Sequence, residues 1–427
     1  MPSRSIELWC PPFRGHLHPM IAMARALQPI TDNVRIVSTE AAHQEIQASG
    51  LKAEIILQGE DAAIESVANP SRPIRSRPLA LFRQFRAALS LLEKLHHAAL
   101  ERYRSSSVKP DLVIVDSVLP TVGTATLLAG LTWWTSTPSP CAIEPLEGTP
   151  GYLGGWSHGN TAWLRARDRW GNRCVKLFKR AVHATHRQRL TALGFPRLYR
   201  DQSEETIYSS EKILGLGLPE FEFPRRWPRA FTWIGPLLYT PPLSAALPST
   251  NPAWDPQRRN ILVTLGTHLP WIKREAAQVI ERLSSRFPSL AFHFSEGMPS
   301  LKGSTHRGNF HQYPYIPYEP HLPQFDFVVH HGGAGVLYQC LRAGLPCIVI
   351  PLDYDQFDHA ARIQHSGVGV IARQWRHLGK AVCTITSSPR FGEKSREFQG
   401  LLKSRPSDLT LQRVISDFFR TKGVTLP

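Results

Sequence analysis

Residues 331–335 read His-Gly-Gly-Ala-Gly, directly after an apolar run at 327–330 and before a helical stretch reaching 343. A strand, a glycine turn and a helix start together aim backbone N–H groups at an anion, usually a phosphate or diphosphate. Gly332, Gly333, Ala334 and Gly335 leave the backbone bare, and His331 can add a hydrogen bond. The positive end of the helix contributes about 0.3–1 kcal/mol to an anion at an exposed site. A second buried run at 347–350 ends at Pro351, and Asp355-Gln356 follows. That pair falls just past the carboxyl end of a strand, where open α/β sheets bind ligands. It supplies acceptors and donors at the spacing that several sugar hydroxyls require. Gly266-Thr267, after the run NILVTL, gives another turn with a hydroxyl. It can face the same phosphates, and a simple helix cap explains Thr267 as well.

Near the N-terminus the chain reads Pro11-Pro12-Phe13-Arg14-Gly15-His16-Leu17-His18-Pro19. This reading puts His16 in a loop just before a helix that starts at Pro19, projecting into a cleft. A neutral histidine there can act as a general base near pH 7. A capping or surface histidine has the same signature, and His18 competes because spacing does not separate the two. Asp116 closes the apolar run LVIVD, at the carboxyl end of a buried strand. A carboxylate so placed can hold an imidazole in one tautomer and stabilise the imidazolium; a helix N-cap is the bland alternative. Asp111 sits at the strand's other end, away from the cleft.

Short apolar runs alternating with helical stretches must carry these groups. Strands are expected at 6–10, 34–38, 55–57, 111–115 and 131–137, with helices at 19–28, 79–104 and 121–129. The alternation restarts at 260 and continues through 290–295, 327–330, 347–350 and 368–371, with a last helix at 409–420. Such alternation implies α/β architecture with two Rossmann-like, doubly wound domains facing a central cleft. The Pro- and Ser-rich segment 239–256 reads as a linker between them. The expected organisation is a first domain at 1–240, a linker at 241–258, a second domain at 259–408, and 409–427 as a helix returning to the first domain.

The chain has 427 residues and 42% hydrophobic content, enough for two cores. No apolar run is long enough to cross a membrane. No signal-peptide core is visible, and six scattered cysteines without a C-x-x-C pair suggest free thiols in a reducing, cytoplasmic setting. The formal net charge of +16 is concentrated in part at 165–189, which holds nine Lys or Arg against one acid, Asp168. A solvated basic helix face, an anionic membrane surface and acidic small molecules all fit that segment. Nucleic acid is disfavoured because no recognition module is present. No G-x-G-x-x-G fingerprint opens either half, which argues against a nicotinamide enzyme.

The order P-x-x-x-G-H-x-x-P, then HHGGAG, G-x-P and P-x-x-x-D-Q, resembles the family 1 glycosyltransferases, or UDP-glycosyltransferases, of GT-B fold. The nearest flavour is the bacterial natural-product and lipid type, and the resemblance runs from Pro11 to the last helix. It implies His16 as general base and Asp116 as its partner. It also implies Tyr315, two residues before Pro317, as the ring that stacks on the nucleotide base. His331 corresponds to the diphosphate-contacting histidine, and Asp355 with Gln356 to the sugar-contacting pair. Two positions depart: Val336 stands where a hydroxyl is usual, and Gln339 where plant relatives carry a glutamate for the ribose. The donor therefore stays open between UDP and dTDP sugars.

The implied reaction is an inverting hexosyl transfer to a hydroxyl of a small hydrophobic, aromatic or lipid acceptor. Fixed dipoles stand in for a metal, so neither metal nor cofactor is expected. Loops 59–78 and 136–159, with Trp133, Trp134, Tyr152, Trp156 and Trp163, are the expected acceptor walls, although such aromatics are also ordinary core. A catalytically impaired homologue acting as an activator, a nucleotide-sugar epimerase and a phosphorylase-like enzyme are the alternatives.

Overall fold

Buried strands in doubly wound sheets are apolar on both faces, and here they form two seven-stranded sheets. The computed structural model describes residues 4–70, 73–74, 77–200, 204–241, 251–267, 269–298, 301 and 303–422. The first sheet contains β1 (Ser5–Trp9), β2 (Asn33–Ser38), β3 (Lys52–Ile55), β4 (Leu112–Asp116), β5 (Trp133–Thr137), β6 (Ile213–Gly215) and β7 (Phe231–Trp233). Its order is β3-β2-β1-β4-β5-β6-β7, parallel throughout. The second contains β8 (Arg259–Thr264), β9 (Leu290–Ser295), β10 (Thr305–Arg307), β11 (Phe310–Tyr313), β12 (Phe327–His330), β13 (Cys347–Val349) and β14 (Gly369–Ile371). Its order is β10-β11-β9-β8-β12-β13-β14, with only β10 antiparallel.

Each sheet reverses its winding once, between β1 and β4 in the first and between β8 and β12 in the second. Ligands of such sheets bind outside the carboxyl ends of the strands at that reversal. His16 follows β1 and Asp116 ends β4. Gly266 follows β8 and His331 follows β12. Every one of these residues therefore flanks a reversal.

The first helix spans Arg14–Leu27, so His16 and His18 lie inside its opening turns and not in a loop before it. Pro19 reads as a helix start because its ring suits a first turn. Here the helix begins earlier and carries the proline within it, with Leu17 N–H donating to Phe13 O at 2.7 Å. The strand expected at 55–57 lies earlier, at β3, because Leu57 takes a positive φ of 53° that ends pairing. Segment 242–250 of the expected linker lies outside the described residues.

The last helix, Ser407–Thr421, crosses back to the first sheet. Leu411, Ile415 and Phe419 join Leu17, Ile21 and Leu27 in one buried cluster. The two halves also meet directly. Glu222 and Arg362 form a buried ion pair at 2.6 Å. Ile74 N–H donates to Asp353 Oδ2 at 2.7 Å, Tyr152 N–H to Asp358 Oδ2 at 2.8 Å, and the Tyr354 hydroxyl to Ala68 O at 3.0 Å. Gly155 sits where an added Cβ would come 2.0 Å from Phe357 O, so only glycine permits that close approach. Replacing Phe419 by Ala should cost about 3–5 kcal/mol, because a ring is removed from a closed core. Chemical denaturation followed by far-ultraviolet circular dichroism measures this, and an unchanged midpoint would contradict the packing.

Candidate active site

His16 is held by both oxygens of Asp116, each 3.0 Å from Nδ1. The arrangement makes Nδ1 the protonated nitrogen and leaves Nε2 as an acceptor. Asp116 is 1% exposed and His16 27%, so the carboxylate is sealed while the imidazole reaches the cleft. Asp116 Oδ1 also accepts from Val118 N–H at 3.0 Å, which fixes its rotamer. Burial pulls the His16 pKa down, but the charge and hydrogen bond of Asp116, with the charge of Asp355, outweigh it and raise the pKa above its ordinary value. Asp355 belongs to the second half of the chain, so the field at His16 has contributions from both halves.

His18 is committed elsewhere. Its Nε2 lies 2.7 Å from Glu45 Oε1, and its ring meets Tyr239 edge-on at 5.2 Å. Glu45 also accepts from Arg14 Nε at 3.4 Å. Spacing could not separate the two histidines, whereas their partners do. His16 pairs with a strand-end carboxylate at the winding reversal, and His18 pairs with the neighbouring helix Glu40–Ala48.

The glycine turn divides its duties. Gly332 has φ 98°, and an added Cβ would meet Gln356 O at 3.0 Å. His359 Nδ1–H donates to Gly332 O at 2.7 Å, and Gly332 N–H donates to His330 Nδ1 at 3.0 Å. Gly332 thus shapes the turn, and it does not line the cavity. Gly333, Ala334 and Gly335, which open the helix Ala334–Ala343, do line it, as does His331. Nothing lies within 4 Å of a Cβ placed on Gly335, so that position leaves open space. Gly266, with φ 70°, faces His331 Cε1, which an added Cβ would reach at 3.0 Å. The two turns therefore converge, and Thr267 lines the same space. Gly297 completes this wall, since an added Cβ there would lie 2.1 Å from Gly266 O.

Gln356 accepts from the N–H groups of Leu352 and Asp353 at 2.9 and 3.0 Å. Its carbonyl is consumed by the loop, and its amide N–H₂ is what remains for a ligand. Asp355 lines the cavity, directly before the helix Gln356–Ser366. Gln339 gives its carbonyl to Arg342 Nη2 at 2.7 Å. Val336 packs with Leu262, Ile316 and Leu322, which explains an apolar residue at that position, while still reaching the cavity wall. Tyr315 lines the cavity with the Arg14 guanidinium 5.8 Å from its ring centre.

Both reversals open into one cavity of about 910 Å³. Its far end is walled by Leu81, Phe85 and Leu92 from the helix Pro78–Ser105, and by Phe178 and Val182 from the helix Ala162–Thr185. Of the five aromatics expected there, only Tyr152 lines it. Trp133 and Trp134 alternate into core clusters on opposite faces of β5, Trp156 packs against Gly171 and Arg167, and Trp163 points to solvent. Lys179 on the wall is paired with Glu144 at 3.0 Å and with Glu205. Apolar helix faces at 79–104 and 162–185 carry no mark that distinguishes a cavity wall from core, so sequence could not select them.

Among the described residues, ligand atoms of Cys141, Asp355 and His359 lie within 4.8 Å of one another. Burial pushes the Cys141 thiol up, and His359 Nδ1 is spent on Gly332 O, so this set is a poor cation cage.

Residues 303–415 match the model of the erythromycin biosynthesis protein CIII-like C-terminal domain. The sterol 3-beta-glucosyltransferase ATG26 of Gibberella zeae is 32% identical over 124 residues, 26% of this chain and 9% of that protein. The 4'-demethylrebeccamycin synthase of Lentzea aerocolonigenes is 29% identical over 217 residues, 47% of this chain and 48% of that protein. The chain thus spans a small part of the first relative and about half of the second. The kitacinnamycin glycotransferase structure superposes with a TM-score of 0.70 at 20% identity, covering 97% of this chain and 98% of that one. VinC in complex with dTDP superposes with a TM-score of 0.65 at 20% identity, covering 97% and 98%. These likenesses establish the GT-B fold across nearly the whole chain.

The His16 imidazole should titrate above its ordinary value of about 6.5. In Asp116→Asn the midpoint should fall, because burial then acts without the carboxylate. Nuclear magnetic resonance of the ring C–H measures both, and an unmoved midpoint would show that Asp116 does not hold the charge.

Proposed function

We propose that this chain, which has a GT-B fold and whose residues 303–415 match the erythromycin biosynthesis protein CIII-like C-terminal domain, is an inverting glycosyltransferase. It moves a hexose from a nucleoside diphosphate sugar to a hydroxyl of an apolar small-molecule or lipid acceptor. The observation that carries this reading is a single cavity joining the His16–Asp116 pair to the 333–335 turn and Asp355.

In this reading the acceptor occupies the apolar end, and its hydroxyl approaches His16 Nε2. The imidazole takes the proton as the oxygen bonds to the anomeric carbon from the face opposite the leaving group. The bond from that carbon to the diphosphate oxygen breaks, and the diphosphate departs against the N–H groups of residues 333–335 and His331. Fixed donors aimed at developing charge cost no reorganisation during the reaction. Asp116 holds the imidazolium that results. Asp355 and the amide N–H₂ of Gln356 bind the sugar hydroxyls, and Tyr315, backed by Arg14, stacks on the base. Gln339 offers its N–H₂ to the ribose, since its carbonyl belongs to Arg342.

Several observations support the donor class. The matched C-terminal model covers the turn, Asp355 and Gln356. Fold neighbours include VinC with dTDP and SpnG with thymidine diphosphate. A uridine or thymidine diphosphate sugar is therefore the donor to offer. Both His16 and Asp116 stand in bonded geometry, which a non-catalytic activator would not need.

Screening nucleotide sugars by thermal shift, then an acceptor panel by mass spectrometry, should reveal transfer of one hexose. General-base catalysis is worth about 10²–10⁴-fold, so His16→Ala should lose about that much turnover while nucleotide affinity holds. Full activity in His16→Ala with loss in His18→Ala would contradict the assignment.

A further inference from the structure

The helix Ala162–Thr185 has two faces with different work. Phe178 and Val182 line the cavity, while Gly171 packs under Trp156 and Pro150. On an adjoining face Trp163, Trp170 and Leu177 are 73%, 63% and 70% exposed. Seven-residue spacing brings these three onto one stripe of the helix. Exposed Ala166 and Ala181 fall in the same stripe, so no acid interrupts it. Arg169, Arg173 and Arg180 border it, also exposed, and none has an acidic partner among the described residues. Large rings with nothing packed over them are uncommon on a solvated face, and the arginine border gives the stripe a charge preference.

We propose that this face docks on an anionic lipid bilayer. Indole rings favour the boundary between headgroups and acyl chains, and arginines beside them meet the phosphates. The helix is not long and apolar enough to cross a membrane, so it lies in the surface plane. A protein partner would need acidic groups arranged against the arginines, whereas a bilayer supplies them everywhere. The bilayer would then lie against the same helix that walls the cavity with Phe178 and Val182. Docking does not depend on the glycosyl-transfer reading, because it concerns surface residues outside the site.

The full chain should co-sediment with phosphatidylglycerol–phosphatidylcholine vesicles at low salt and remain in solution with phosphatidylcholine alone. The triple variant Trp163→Ala, Trp170→Ala, Leu177→Ser should bind the anionic vesicles about tenfold or more weakly, as should Arg169→Glu with Arg173→Glu. All these side chains are exposed, so circular dichroism and thermal midpoint should match the parent. Failure of the parent chain to sediment with anionic vesicles would overturn the proposal. So would equal sedimentation by the triple variant, or a concentration-dependent dimer in light scattering that the triple variant abolishes without any vesicle binding.

Discussion

The hydrogen bonds between His16 and Asp116 depend on the winding of the first sheet. Asp116 closes β4 and His16 opens the helix after β1, and those strands are neighbours only because the order reverses there. A charged carboxylate sealed from solvent is costly unless it is paired. The imidazole and the Val118 N–H supply that pairing, and the carboxylate in turn fixes the imidazole. The geometry is therefore held from both sides: loosening the sheet reversal would leave a buried charge without its partners. A field from Asp355 reaches the same ring, which ties the pair to the position of the second half.

That position is maintained by polar contacts whose breakage is expensive. Glu222 and Arg362 are both buried, and removing one partner of such a pair costs about 3–5 kcal/mol. Arg362 also lies over the Phe223 ring at 4.4 Å. Asp353 and Tyr354 reach Ile74 and Ala68, so the loop that carries Asp355 is braced against the first half. Tyr354 takes a φ of 52°, a conformation that needs such support. Burial and the nearby Asp355 push the Asp358 carboxyl up to about 6, against Arg362 and the Tyr152 N–H, which act downward. The loop that carries Asp355 is thus set by contacts from outside its own domain.

Much of this was legible in the sequence for identifiable reasons. Strands buried on both faces leave continuous apolar runs, which is why β1, β4, β8, β12 and β13 could be read. Turns that need bare backbone leave glycines, and Gly266 and Gly332 do carry positive φ. Three-residue strands such as β6 and β7 are too short to leave a period, and β10 is exposed throughout. Aromatic residues mark burial and not its purpose: Trp133 and Trp134 fill core while unmarked leucines line the cavity. The identity of the paired histidine was a tertiary fact, settled by Glu45 and Asp116 at long sequence distance. The basic segment was ambiguous because charge count alone does not show where Trp163 and Trp170 point.

The proposed reaction is a single displacement driven by a base on the face opposite the donor diphosphate. Its most direct test is the anomeric configuration of the product, read by proton nuclear magnetic resonance from the sugar's one-two coupling constant. With an α-linked nucleotide sugar the product should be β-linked, as the sole anomer. An α-linked product would contradict it, because retention requires chemistry that a His16-activated hydroxyl attacking once cannot supply.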